Sequence, residues 1–103
     1  MELYLRKRNS GVTAVGEYDL EAGTMTVKKG ATVSKDVHAD GKFRSAKSVA
    51  HYRESYCGGV AVKEDVVFKS ASTAANFATG RSTNGLIAWK DAGGRTLKGL
   101  KSE

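Results

Sequence analysis

Proline is absent from the 103 residues, so no cis-prolyl switch is available to the chain. Cysteine occurs once, at Cys57. An internal disulfide is therefore impossible, and a lone thiol builds no zinc site. Histidine occurs twice, at His38 and His51, which leaves metal chemistry without a ligand set; neither a metal nor a cofactor is expected. No apolar run approaches the ~20 residues that a membrane helix needs, so no membrane partner is expected. The opening Met1–Arg6 lacks a long apolar stretch, so a signal peptide is not expected and a reduced, cytoplasmic setting is the default. Acids are scarce relative to bases: 11 Asp and Glu stand against 17 Lys and Arg, for a net charge of +6. That excess favours polyanion partners, nucleic acid above all. The plain alternative is that it serves solubility.

What is present is enough for one small core. Hydrophobic residues make up 40% and charged residues 27%, the balance of a globular chain. Residues 1–103 are expected to form a single domain. The first third alternates with period two. Leu3 and Leu5 share one face of a strand while Tyr4 and Arg6 share the other. Val12, Ala14 and Tyr18 repeat the pattern, then Met25 and Val27. Turn signals at 8–11 and 21–23 make the strands antiparallel neighbours in a meander. Residues 34–42 read as a polar loop. Residues 45–56 read as a helix capped by Ser45 and stopped by Gly58-Gly59. Residues 59–68 read as a strand pair or a bent strand turning at Glu64-Asp65.

A second helix starts at Ser70 or Ser72, carries the small-residue stripe Ala71, Ala74, Ala75 and Ala78, and ends at Gly80. Residues 86–90 and 95–98 then read as a hairpin around Asp91–Gly94. The class is α+β: a small antiparallel sheet, made of the N-terminal meander and the C-terminal hairpin, with about two short helices packed on it.

No catalytic constellation emerges, and a non-enzymatic role is expected. Nucleophilic catalysis needs a base beside the nucleophile. His51 and Cys57 lie near each other in sequence, but six residues apart on a helix they fall on different faces, and Cys57 reads as a small apolar residue at a helix end. Glu17, Asp19 and Glu21 sit at strand-end and turn positions, where solvated acids are common. The residues around Gly30 lack the glycine-rich half of a phosphate-binding loop, and Asp36 and Asp40 lack the spacing of a calcium loop.

Two basic segments remain as candidate nucleic-acid contacts. Lys42, Arg44, Lys47 and Arg53 form the densest, with no acid before Glu54; such a run is either a solvated helix face or a phosphate contact. The second is Arg81-Ser82-Thr83-Asn84-Gly85. Arg81 carries a planar fork suited to phosphate, Ser82, Thr83 and Asn84 add neutral donors, and Gly85 admits close backbone approach. The structural alternative makes Asn84-Gly85 a left-handed turn and pairs Arg81 with an acid such as Asp91. Trp89 reads as core.

The run from Phe68 to Leu100 also carries a longer pattern. A serine- and alanine-rich helix start (Ser70-Ala71-Ser72-Thr73-Ala74-Ala75) leads to Gly80-Arg81-Ser82-Thr83-Asn84-Gly85, then Trp89-Lys90, then Gly94-Arg95-Thr96-Leu97. This resembles the domain of unknown function 4357 family, and Gly23–Ser34 resembles an upstream segment of its longer members. The chain departs from the pattern at Ala71, where the family has proline, and at Leu86, where it has tryptophan. A more distant likeness is to methylase-associated domains of restriction systems. Family members often follow GIY-YIG nuclease domains. The resemblance thus implies a DNA-contacting accessory role, with a nuclease- or restriction-type partner; self-association is the other partner to expect, on the uncovered strand edges of the meander. The expected function is a non-catalytic nucleic-acid-binding module acting through phosphate contacts. The alternative is a protein-interaction or oligomerisation module, because a meander leaves strand edges uncovered.

Overall fold

A four-stranded antiparallel sheet organises the chain in the computed structural model, which describes residues 1–35, 37 and 46–101. Strands β1 (Glu2–Lys7), β2 (Val12–Tyr18) and β3 (Met25–Val27) form the expected meander. β1 and β2 are joined by a 3-10 turn at Arg8–Ser10 that closes at Gly11 with φ 69°. Register is set by the alternation: Leu3 faces Gly16, Leu5 faces Ala14, and Tyr18 faces Met25. Leu3, Leu5, Val12, Ala14, Tyr18 and Met25 on this face are buried, Lys7 at the end of β1 is exposed, and Tyr4, Arg6, Thr13 and Val15 fall on the other face.

Helix α1 (Ala46–Tyr56) leads into a small hairpin of β4 (Cys57–Gly58) and β5 (Ala61–Val62). The strand pair expected over 59–68 thus starts at Cys57 and makes its first turn at Gly59-Val60. Gly59 turns the chain at φ 64°, leaving Val60 exposed and Val62 buried. Strand β6 (Val66–Phe68) then pairs with β3 and completes the sheet. Residues 31–33 tie the two sheets together, since Thr32 bridges both Thr13 and Ala61. The expected loop at 34–42 lies mostly outside the described residues, as do Ser45, Lys42, Arg44 and His38.

Helix α2 (Ala71–Thr79) lies against the buried sheet face. Ser70 caps it by accepting from the Thr73 amide at 3.1 Å, and Gly80 ends it at φ 74°. Ala74, Ala75 and Ala78 are fully buried, as the small-residue stripe predicts. Short side chains let the helix approach closely, and Phe77 fills the gap toward Phe68 (ring centroids 5.0 Å apart) and Tyr52 (6.5 Å).

The chain beyond Asn84 differs in detail from the expected hairpin. Gly85–Ala88 forms a helical turn, α3, and Leu97–Lys101 forms α4. The turn at Asp91–Gly94 sits where its residues predict, held by the Asp91 carboxylate, which accepts from the Gly93 and Arg95 amides at 3.0 and 2.8 Å. The strands flanking it shrink to a bridge between Lys90 and Thr96. The cause is Asn84, whose side chain accepts from the Leu86 amide at 3.0 Å and so starts a helix rather than a strand. Among the described residues no helix is long and apolar enough to cross a membrane.

Candidate nucleic-acid interface

Arg81 leaves the end of α2 at Gly80, whose left-handed conformation swings the chain away from the helix axis. The loop that follows is held by its own hydroxyls. Thr79 Oγ1 and Thr83 Oγ1 lie 2.7 Å apart, and both are within hydrogen-bond distance of the Arg81 carbonyl, at 3.1 and 3.0 Å. The Thr83 amide donates to Asn76 Oδ1 at 2.8 Å, and the Gly85 amide donates to Ser72 Oγ at 3.0 Å. These bonds fix residues 79–85 against α2, so Arg81 projects from a braced loop. Arg81, Ser82 and Asn84 are exposed.

Gly85 is not in a left-handed turn, contrary to the structural alternative for Asn84-Gly85. It starts α3 hard against α2. A Cβ there would fall 2.3 Å from the Ala71 carbonyl carbon and 2.4 Å from the Ser72 amide nitrogen. Backbone cannot yield as a flexible side chain can, so only glycine fits.

A cleft of about 430 Å³ opens between this loop and the start of the chain. One wall is Arg81, Ser82, Thr83 and Asn84, the run singled out from sequence. The other wall comes from Arg6 at the end of β1 and Lys7 beside it, and Lys90 closes one side. The cleft therefore carries four cationic side chains and no acid. None of the four is in an ion pair among the described residues. Asp91, the acid that the structural alternative pairs with Arg81, is instead turned onto its own loop amides.

Lys90 reaches this place through backbone pairing. Its amide and carbonyl exchange hydrogen bonds with those of Tyr4, at 2.9 and 2.7 Å. Residues paired in this way point their side chains to the same sheet face, and Arg6, two residues beyond Tyr4, shares it. Tyr4, Arg6 and Lys90 thus stand together on the outer face. The Arg6 guanidinium carbon lies 5.2 Å from the centroid of the Tyr4 ring. The Tyr4 hydroxyl donates to Glu2; that hydrogen bond, with burial and the Glu2 charge, raises the phenol above its ordinary range, and Arg6 opposes the rise.

The first basic segment fares differently. Lys42 and Arg44 lie outside the described residues. Lys47 is exposed on α1 and is not part of the cleft. Arg53 is drawn into the fold. Its Nε donates to the Phe77 carbonyl at 3.0 Å, Nη1 to the Ser34 carbonyl at 2.7 Å, and Nη2 to Ser34 Oγ at 2.8 Å and the Phe77 carbonyl at 2.8 Å. The guanidinium satisfies carbonyls that the end of α2 leaves unpaired. A group so engaged is not offered to phosphate. Cys57 is half-buried, and burial raises its thiol above the usual value, with Arg53 opposing; His51 is exposed on α1. Neither belongs to the cleft.

Sequence reasoning found one wall and missed the other. The alternation in β1 already put Tyr4 and Arg6 on one outward face, which was a usable signal. Nothing local in the sequence says that Lys90 pairs with Tyr4.

Leu86, standing where the resembled pattern has tryptophan, is half-buried against the core. Ile87 lines the cleft and is 53% exposed. No curated protein and no solved structure matches the chain. The match that does hold runs over residues 3–101, essentially every element described above, and by it the chain belongs to the family described as Domain of unknown function (DUF4357).

Proposed function

We propose that this chain is a non-catalytic nucleic-acid-binding module that grips phosphates in the cleft between residues 79–84 and β1. The observation that carries the reading is the composition of that cleft: Arg6, Lys7, Arg81 and Lys90 converge with no acid among them. Like charges gathered without counter-charge repel one another, and a polyanion relieves that repulsion while releasing its condensed counterions. Ser82 and Asn84 add neutral donors on the same wall, the kind of group that fixes a phosphate's orientation. Two of the cations outside the cleft are engaged elsewhere: Lys28 pairs with Asp65 at 3.2 Å, and Arg53 donates to the Ser34 and Phe77 carbonyls.

The test is titration of fluorescent oligonucleotide across a salt series. Four neutralised phosphates give a slope of about −3 to −4 in log K against log salt. Arg81→Ala and Lys90→Ala each reduce that slope by about 1. Lys47→Ala, outside the cleft, leaves it unchanged. Binding indifferent to salt, no binding at low salt, or equal loss from Lys47→Ala rejects the reading.

A second reading, self-association, is favoured by one observation. Leu20 and Val67 are 55% and 61% exposed beside a hollow of about 640 Å³ that also carries Glu17, Asp19 and Glu21. Its acids complement the basic cleft of another copy. Light scattering over a concentration series then shows mass growth that Val67→Lys abolishes; a constant monomer mass excludes it.

A further inference from the structure

The basic cleft does not end at Lys90. A second hollow of about 200 Å³ continues past it, lined by Tyr4, Arg6, Lys90 and the turn at Asp91–Gly94. Arg6, Ala88 and Lys90 line both hollows, so the two adjoin along these residues as halves of one groove. The two halves differ in character. The first holds Arg81, Lys7 and neutral donors. The second holds an aromatic ring with a guanidinium laid over it.

We infer that this groove takes single-stranded nucleic acid, with a phosphate in the half facing Arg81 and the adjoining base against the Tyr4–Arg6 pair. The inference rests on the reading of the cleft as a phosphate site and adds the form of the nucleic acid to it. Three features argue for a single strand. First, the main hollow, at about 430 Å³, is a concavity of small-ligand size. A duplex presents its phosphates on a convex surface and keeps its bases inside. It would touch the rims of such a hollow and leave the floor empty. An unpaired nucleotide can enter.

Second, Tyr4 is the kind of group that unpaired bases stack on, and an arginine plane over the ring extends the platform. A duplex offers no free base face to it. Third, the platform is preorganised. The Tyr4 backbone commits both its amide and its carbonyl to Lys90 beyond the sheet edge, and Val15 of β2 is its register partner on the other side. Asp91 lies within the second hollow, but its carboxylate is engaged by two turn amides, which hold it in the turn and soften its repulsion of a passing phosphate.

The experiment compares a short oligothymidylate with a duplex of equal length, at one salt concentration, on the full chain and on two variants. Tyr4→Val retains a strong strand former without an aromatic ring, and Tyr4→Phe retains the ring without the hydroxyl. The single strand binds the parent chain more tightly than the duplex does. Tyr4→Val weakens the single strand about tenfold, as the loss of one base–aromatic stack predicts. Tyr4→Phe retains the parent affinity, and the duplex affinity is the same for all three proteins. Circular dichroism spectra matching the parent's show that the variants are folded. Duplex binding equal to or tighter than single-strand binding, with the salt slope intact, overturns the inference and leaves the phosphate site standing. Single-strand affinity untouched in Tyr4→Val overturns it as well. Failure of both nucleic acids to bind overturns the inference together with the reading beneath it.

Discussion

Trp89→Ala is expected to lower the free energy of unfolding by about 3–5 kcal/mol, read from urea denaturation. The ring is fully buried and is the largest side chain in the core. It packs where β2 carries Gly16. A Cβ there would stand 3.0 Å from the Trp89 ring, so the glycine leaves room for the indole to lie on the sheet. The indole nitrogen donates to the Ala71 carbonyl at 3.0 Å. One side chain therefore joins the sheet to the first turn of α2. Removing it empties a volume that the rigid sheet cannot close and takes from the Ala71 carbonyl its second donor, leaving only the one within α2. Trp89→Phe separates the two contributions. It keeps most of the apolar contact and loses the donor, and about 1–3 kcal/mol of destabilisation is expected. Since a domain of this size is stabilised by only about 5–15 kcal/mol in total, the alanine variant loses a large share of that margin. A loss from Trp89→Ala no larger than that of an exposed-surface change would show that the indole is not the joint between the two layers.

The same region shows where reading the sequence succeeds and where it stops. The meander is legible because one face of β1, β2 and β3 is buried, and period-two alternation reports that directly. Helix α2 is legible because its start and stop are local chemistry: the hydroxyl of Ser70 and the left-handed Gly80. Residues 84–90 are not legible, because Asn-Gly serves a hairpin turn as readily as a helix start. Asn84 acts here as a helix cap on the Leu86 amide, with Gly85 held against the α2 backbone, 2.3 Å from where its Cβ would be, and that contact is distant in sequence. The candidate site divides the same way. Its Arg81–Asn84 wall is a continuous run and stands out. Its opposite wall needs the pairing of Tyr4 with Lys90, which no local pattern encodes. Charge density misled at Arg53 for a related reason. A cation on a helix is counted as available until the carbonyls it faces are known.

Arg53 and Arg81, alike as candidates in the sequence, are therefore expected to separate cleanly when replaced. Arg53→Met keeps most of the side-chain length and apolar stem but removes every donor. The Phe77 and Ser34 carbonyls then lose charge-assisted hydrogen bonds in a partly buried place, and destabilisation of about 3 kcal/mol is expected. Arg53→Lys recovers only part of this. An ammonium donates from a single point, whereas the guanidinium reaches Ser34 on one side and Phe77 and Ala78 on the other with three separate nitrogens. Arg81→Ala, by contrast, leaves thermal stability unchanged, because its guanidinium holds no part of the fold; the loop is braced by Thr79, Thr83 and the Arg81 backbone carbonyl. In oligonucleotide binding the order inverts. Arg81→Ala weakens binding and flattens its salt dependence, while folded Arg53→Met retains both. Thermal melts and salt-series titrations on the three variants together check this. Loss of affinity in folded Arg53→Met would place that cation at the ligand and move the binding face from the cleft to α1; loss of stability in Arg81→Ala would make the cleft wall a structural element rather than a binding one.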